Sequence, residues 1–582
     1  MFLLHTKTMK KFLLLFYPIL AGSISLVLLK KNSNENVSWE FAEAKRETAL
    51  GCAPGAADYA DNKGKFIGLL PGWGDHSYTI STQSDSAQIY FNQGLSMYYS
   101  YHAREALASF REAARFDSTN AFLFWAQALA MGPSYNLGHI YKMGAAVPWV
   151  VQNMNRLSPN ATAREKDLIL AMNQRYDTGD TADRNRKNLN LGYAAAMKEL
   201  VNKYPEDLEI RALYVDAMML VHPWDFWYNN GTPKEWTPEL VAYCEKILQE
   251  DPQHPAGLHY YIHVTEASRK PEVALPAADS LLKLFPGVAH MVHMSSHEYE
   301  RIGYYAQGVR ANDLADQSLV VYDSLAKGLF PQVHVPHYYA VNAYCALSGA
   351  MQQEASEKTL TVRNSIAPTR EMTYFQYLYM FPQLAMVRLG KWQELINDES
   401  RLEDDWYYAS ILNDFAKGMA FTRTGKPAKA KEHLASLRKN MKVPLLKKKF
   451  IPHTSSPYEC AVVAEHILEA NIFFTLKNQS EALQSIEKAI LAEDSLIYSE
   501  PKIWMLPARQ YQGAFLMELN RPAEAEKVYR EDLVWNPGNG WSLLGLYQAL
   551  KAQKKTKELE ELKKLYMNSF SEAEVIPGKS AY

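Results

Sequence analysis

The chain has 582 residues, enough for several domains or one long repeat array, and its 47% hydrophobic content supplies a core, which excludes a disordered protein. Lys and Arg number 62 against 64 Asp and Glu, a formal charge of -2, so the balance offers no electrostatic case for nucleic acid, whose phosphates call for a basic surface. Aromatic residues make up 12% of the chain, so much of the buried surface must come from rings with polar handles, which suit ligand grooves.

At the N-terminus, Lys7, Lys10 and Lys11 precede an uncharged, largely apolar run from Phe12 to Leu29, closed by Lys30 and Lys31. This is the pattern of an export signal. Its length leaves residues 1–31 open between a cleaved signal peptide and a signal-anchor, with membrane association expected if the signal stays. Leu20-Ala21-Gly22-Ser23 offers small residues for cleavage, and Leu50-Gly51-Cys52 resembles the end of a bacterial lipobox, although it lies well past the apolar run. The expected location is therefore the bacterial periplasm or cell envelope. Residues 32–85 read as a linker or irregular segment. Cys52, Cys244, Cys345 and Cys460 are too far apart for a readable disulfide or CxxC pattern, and three of them sit in apolar helical patterns as small buried hydrophobes.

After about Ser86, strands are hard to find and apolar positions recur at helical spacing, which predicts an all-α chain. Residues 87–120 span 34 positions with Gly94, Ala106, Phe110 and Ala113 at offsets 8, 20, 24 and 27. Residues 131–203 fit this register poorly, with Gly132-Pro133, Gly144, Pro148 and Pro159, and read as an insertion. Units follow at 255–288 and 289–322, a degenerate one at about 336–368, a weaker one at about 375–399, and further units at 411–444 and 463–496. In 506–539, Gly513, Ala525, Tyr529 and Pro537 take offsets 8, 20, 24 and 32. Small residues at 8 and 20 let two antiparallel helices approach, and Pro closes the second. Residues 553–564 read as a polar end cap and 568–582 as a C-terminal tail.

This pattern over about 86–567 resembles the tetratricopeptide repeat, which implies a superhelical solenoid of antiparallel helix pairs with a concave groove. The stretches Leu258-His-Tyr-Tyr-Ile-His263 and His290-Met-Val-His-Met-Ser-Ser-His297 also resemble a bacterial subfamily of exported tetratricopeptide proteins.

Five of the 16 histidines fall within thirty-nine residues, at His259, His263, His290, His293 and His297. On helices, spacings of three and four put each group on one face. The resemblance implies that offsets 2, 5, 9 and 12 of each first helix line the groove. His259, His263 and Glu266 take 5, 9 and 12 of one unit, and His290, His293, His297 and Glu300 take 2, 5, 9 and 12 of the next. Neighbouring first helices pack about 8 to 10 Å apart, so these side chains can converge. A metal site is expected there. Neutral imidazole suits zinc, iron, copper and nickel, and carboxylates add manganese to the range, so the identity stays open. Glu266 and Glu300 read equally as ligands or as hydrogen-bond partners of the imidazoles. His334 and His337 stand at the entry of the same groove, while His102, His76 and the His222-Pro-Trp-Asp225 stretch are further candidates.

No Gly-x-Gly-x-x-Gly, P-loop or Gly-x-Ser-x-Gly motif appears, and Tyr498-Ser-Glu-Pro501 interrupts the period between two good repeats. Two functions are expected from these features: a histidine-rich metal centre in the groove, with metal-dependent chemistry on a small molecule, or a metal-free scaffold holding a protein or peptide partner there.

Overall fold

The computed structural model describes residues 64–326 and 335–582, apart from Thr181. The expected export signal, Cys52, His334 and most of the expected linker lie outside the described residues. No helix among the described residues is long and apolar enough to cross a membrane.

From Asp85 onward one helix follows another, and among the described residues the only β pairing is an isolated bridge between Trp227 and Pro233. The fold is an all-α solenoid of antiparallel helix pairs. α1 (Asp85–Tyr99) packs on α2 (Ala103–Phe116). Residues 131–203 are themselves largely helical: Val147–Leu157 packs on Ala121–Ala130, and Arg186–Lys203 pairs with α3 (Leu208–Val221). α4 (Pro255–Thr265) pairs with α5 (Leu275–Leu284), α6 (Ala289–Ile302) with α7 (Tyr305–Ala326), and α8 (Pro336–Ser348) with Gln352–Asn364. Near the C-terminus Pro457–Thr475 pairs with α9 (Gln479–Asp494) and α10 (Ala508–Glu518) with α11 (Pro522–Trp535).

Local sequence sets these boundaries. Pro255, Pro336, Pro427, Pro457 and Pro522 each stand in a helix's first turn, where the missing N–H costs nothing and the fixed φ suits the helix. First helices end alike: Tyr101, Gly303, Ala350, Gly390, Gly425, Lys477, Asn520 and Lys554 all adopt positive φ, 56° to 80°. In all eight of these turns the next residue's N–H bonds a carbonyl five positions back, as His102 N does to Met97 O (2.9 Å) and Arg521 N to Leu516 O (2.8 Å). This Schellman closure satisfies carbonyls the helix leaves behind and reverses the chain.

Within a pair, a small residue on the first helix admits an aromatic ring from the second. A Cβ on Gly94 would come 2.5 Å from the Phe110 ring, and one on Gly513 would come 2.3 Å from Tyr529. These are offsets 8 and 24 of their units, so the sequence period is the packing period. The C-terminal tail docks rather than trails, with Ser580 Oγ 2.6 Å from Tyr529 Oη and the Tyr582 ring edge-on to Trp541. Cys244, Cys345 and Cys460 are buried and unbridged.

Candidate metal centre

The first helices α4, α6 and α8 lie side by side, and α1, from the start of the solenoid, packs against α4. His259 and His263 project from α4, His290, His293 and His297 from α6, and His337 from α8. They gather into two adjacent triads. In each triad, His259/His263/His290 and His293/His297/His337, one nitrogen per ring lies within 4.8 Å of the others. The triads meet where the His290 and His293 rings are 6.0 Å apart and those of His263 and His297 6.3 Å.

Partners fix the outward nitrogens. His259 Nδ1 is 2.6 Å from the Tyr99 carbonyl, which can only accept, so this nitrogen carries the proton and Nε2 is left as an acceptor. His263 Nδ1 lies 2.9 Å from Glu266 Oε1 and His297 Nδ1 3.0 Å from Glu266 Oε2, so one carboxylate holds a ring from each triad. His293 Nδ1 is 2.7 Å from Asn312 Oδ1, and the Asn312 amide is oriented by its own bond to the Gly308 carbonyl at 2.9 Å. With Nδ1 committed on these four rings, Nε2 is the nitrogen left to the interior: His293 and His297 approach to 2.9 Å through Nε2, and His259 Nε2 lies 3.2 Å from Nε2 of His290, whose Nδ1 stands 3.4 Å from Tyr338 Oη. His263 Nε2 is buried and has no hydrogen-bond partner.

Burial dominates the electrostatics. It lowers His263 to about 3 and His297 and His337 to about 4, and holds His259, His290 and His293 well below the ordinary value, with neighbouring imidazoles pushing the same way for all but His263. All six are neutral at physiological pH, the form that binds a metal ion. Above them stand Tyr101, whose ring centroid is 4.5 Å from that of His259, and Tyr135, 5.0 Å from His263. The expected open groove is therefore filled here: His259 and His293 are 0% exposed.

The other expected site residues divide. Glu266 holds two imidazoles from outside. Glu300 joins neither triad; burial pushes it up to about 8, and its Oε2 has no partner. Arg301 bonds the carbonyls of Glu266 and Ser268 rather than either carboxylate. His102 sits buried at the start of α2, its Nε2 3.4 Å from the His290 backbone nitrogen. His76 does fold back, but onto α3: His76 Nε2 and His254 Nε2 lie 2.6 and 2.9 Å from Glu209 Oε1, while Tyr99 Oη donates to Glu209 Oε2 at 2.6 Å. Because His254 Nδ1 accepts from Gly257 N, its Nε2 must donate to Glu209, so this nitrogen holds the carboxylate and is not a lone pair for a metal ion.

Sequence reasoning missed Asn312, the Tyr99 carbonyl and Glu500. Glu500 belongs to the segment that interrupts the repeat period, and its Oε2 lies 4.0 Å from His297 Nδ1, in a cluster with Glu266. Burial, with Glu266 beside it, holds the Glu500 carboxyl well above the usual range.

The chain matches no protein-family model and no curated protein. Among solved structures it is similar to the human IFIT1 dimer with m7Gppp-AAAA, at 12% identity over 84% of this chain and 91% of that one, with a TM-score of 0.31. It is also similar to yeast Tom70, at 11% identity over 83% and 92% with a TM-score of 0.28. The Cut9 and Hcn1 hetero-tetramer of APC/C gives 10% identity over 85% and 97%, with a TM-score of 0.25. Scores this low carry no inference about function.

Proposed function

We propose that this protein binds two first-row transition metal ions, one in each histidine triad, with zinc the first choice for a site of three imidazoles. The observation that carries the reading is His263 Nε2, a buried acceptor without a partner, on a ring whose other nitrogen is tied to a carboxylate. Leaving such a group unsatisfied costs about 1–3 kcal/mol, and a cation removes the cost. The Nε2 separations of 2.9 and 3.2 Å also suit a shared ion, since ligands at about 2.0–2.1 Å stand roughly 2.8–3.0 Å apart around an octahedral centre and roughly 3.3–3.4 Å around a tetrahedral one. The carboxylate, carbonyl and amide behind the rings match the outer partners that orient metal-bound histidines.

A second, metal-free arrangement is supported by Glu266, whose carboxyl burial pushes upward. Protonated Glu266 donates to His297 Nδ1, and His297 Nε2 then donates to His293. That chain satisfies one triad and leaves His263 Nε2 as it was. Peptide capture has less support, because fully buried His259 and His293 cannot meet a peptide. Export rests on residues 1–31 alone.

The test is equilibrium dialysis of the full chain against zinc, after purification without immobilised metal. Two ions per chain are expected, and one in His263→Gln. Uptake unchanged by that substitution would overturn the assignment of the first triad.

A further inference from the structure

A cleft of about 780 Å³, lined by His222 and His453 but by no triad histidine, opens between the 221–236 segment, the end of α4 and the C-terminal repeats. Its volume is that of a small-molecule site. Trp224 lines it and stands 4.5 Å, ring to ring, from Tyr135, which in turn covers His263.

The lining sorts by chemistry. Arg269, Arg301 and Lys502 face the cleft, and none is ion-paired to a carboxylate among the described residues. Arg301 is held by two backbone carbonyls, Arg269 by the Asn229 carbonyl, and Lys502 by Asn536 Oδ1. The nearby acids are already committed. Asp494 takes both terminal nitrogens of Arg509 at 2.6 and 2.8 Å, Asp225 pairs with Lys234 at 2.9 Å, and Glu493 accepts from Ala508 N and is pushed by burial up to about 7. Three cations with neutral partners are therefore gathered on one cavity, and their mutual repulsion is visible. Burial first, and then Arg301, lowers Lys502 to about 8 and Arg269 to about 10. Facing them are ring surfaces: Arg269 lies 3.8 Å over Trp535, and Trp227 and Trp504 also line the wall.

We propose that this cleft binds an organic anion, a carboxylate or phosphate carried on a planar aromatic body. Guanidinium forks bind either group in a bidentate manner, Lys502 adds a point charge, and the tryptophans take the flat body. The proposal does not depend on the metal reading, since no triad histidine lines the cleft.

Calorimetric titration of the full chain with 1-naphthoate, 1-naphthyl phosphate and neutral 1-naphthol tests it. At least one anion is expected to bind about tenfold or more tightly than the naphthol, and to weaken by about tenfold in Arg269→Ala and in Lys502→Ala. Metal content and helical circular dichroism should stay unchanged in both variants, which separates this site from the triads. The tighter anion identifies the source, carboxylate or phosphate. Equal binding of naphthol, no saturation by either anion, or affinities indifferent to both substitutions would overturn the proposal.

Discussion

His293 Nε2 and His297 Nε2 face each other at 2.9 Å on successive turns of α6, while the Nδ1 of each is held by an outside acceptor, Asn312 for one ring and Glu266 for the other. When Glu266 is ionised, both outer nitrogens donate and two lone pairs meet. Burial keeps these rings from taking up a proton, so a metal ion is the cation that fits.

The outer partners should then govern affinity. Asn312→Ala removes the acceptor that holds the His293 tautomer, and zinc affinity at that triad is expected to fall roughly 10–100-fold with the other triad unaffected. Glu266→Gln should weaken both, because its two oxygens serve one ring in each. Competition with a fluorescent chelator, read for two classes of site, checks this. Equal affinities in wild type and Glu266→Gln would count against the linkage.

Metal should stabilise the fold by linkage. At free zinc one hundred times the dissociation constant, each site adds about 2.7 kcal/mol. Chelation is expected to lower the melting temperature of the wild type, and by clearly less in His297→Gln. Identical chelator shifts would argue that the ion sits elsewhere.

Acid should unfold the chelated protein early. The folded-state values of His263, His297 and His337, about 3, 4 and 4, lie below the unfolded 6.5, so the unfolded chain takes up protons first as pH falls. Stability is full above about pH 6.5 and is lost toward pH 4, by up to ~1.4 kcal/mol per pH unit for each imidazole. Urea midpoints measured between pH 7.5 and 4.5 should fall steeply on the acid side; a flat profile to pH 5 would contradict the burial argument.

Tyr101 offers a sharper case. It holds a left-handed φ of 57°, covers the first triad, and its hydroxyl is buried with no partner. In chelated protein, Tyr101→Phe is expected to raise stability by about 1 kcal/mol by removing an unsatisfied polar group while keeping the ring. Denaturant titration measures it, and a loss of similar size would mean that the hydroxyl is satisfied.

Repeat packing predicts that Gly94→Ala and Gly513→Ala each cost about 1–3 kcal/mol, since the added methyl meets the ring of Phe110 or Tyr529 well inside contact distance. Thermal unfolding of the two variants checks this.

Much of this was legible in the chain. Helices begin at Pro255, Ala289 and Pro336, where the period starts its units, and the histidine spacings put the right rings on neighbouring faces. Spacing could not show that the face is closed. Tyr101 and Tyr135 reach it from more than 120 residues away in sequence, and only tertiary packing brings them over His259 and His263. Asn312 was hidden for the same reason: it is an ordinary polar residue of a second helix until α6 folds against α7. Glu500 left one trace, the break in period at Tyr498–Pro501, which marks a segment shaped by contacts other than repeat packing. His76 and His254 were invisible as a pair because Glu209, which joins them, lies on a third element.

The measurement that tests the central claim most directly is an anomalous difference map from zinc-loaded crystals of the full chain, collected on both sides of the zinc edge. Two peaks are predicted, one within bonding distance of His259, His263 and His290 and one of His293, His297 and His337, at about 2.0–2.1 Å from one nitrogen of each ring. A map with no peak at either triad, from crystals that hold zinc elsewhere or not at all, would contradict it and return these histidines to hydrogen bonding.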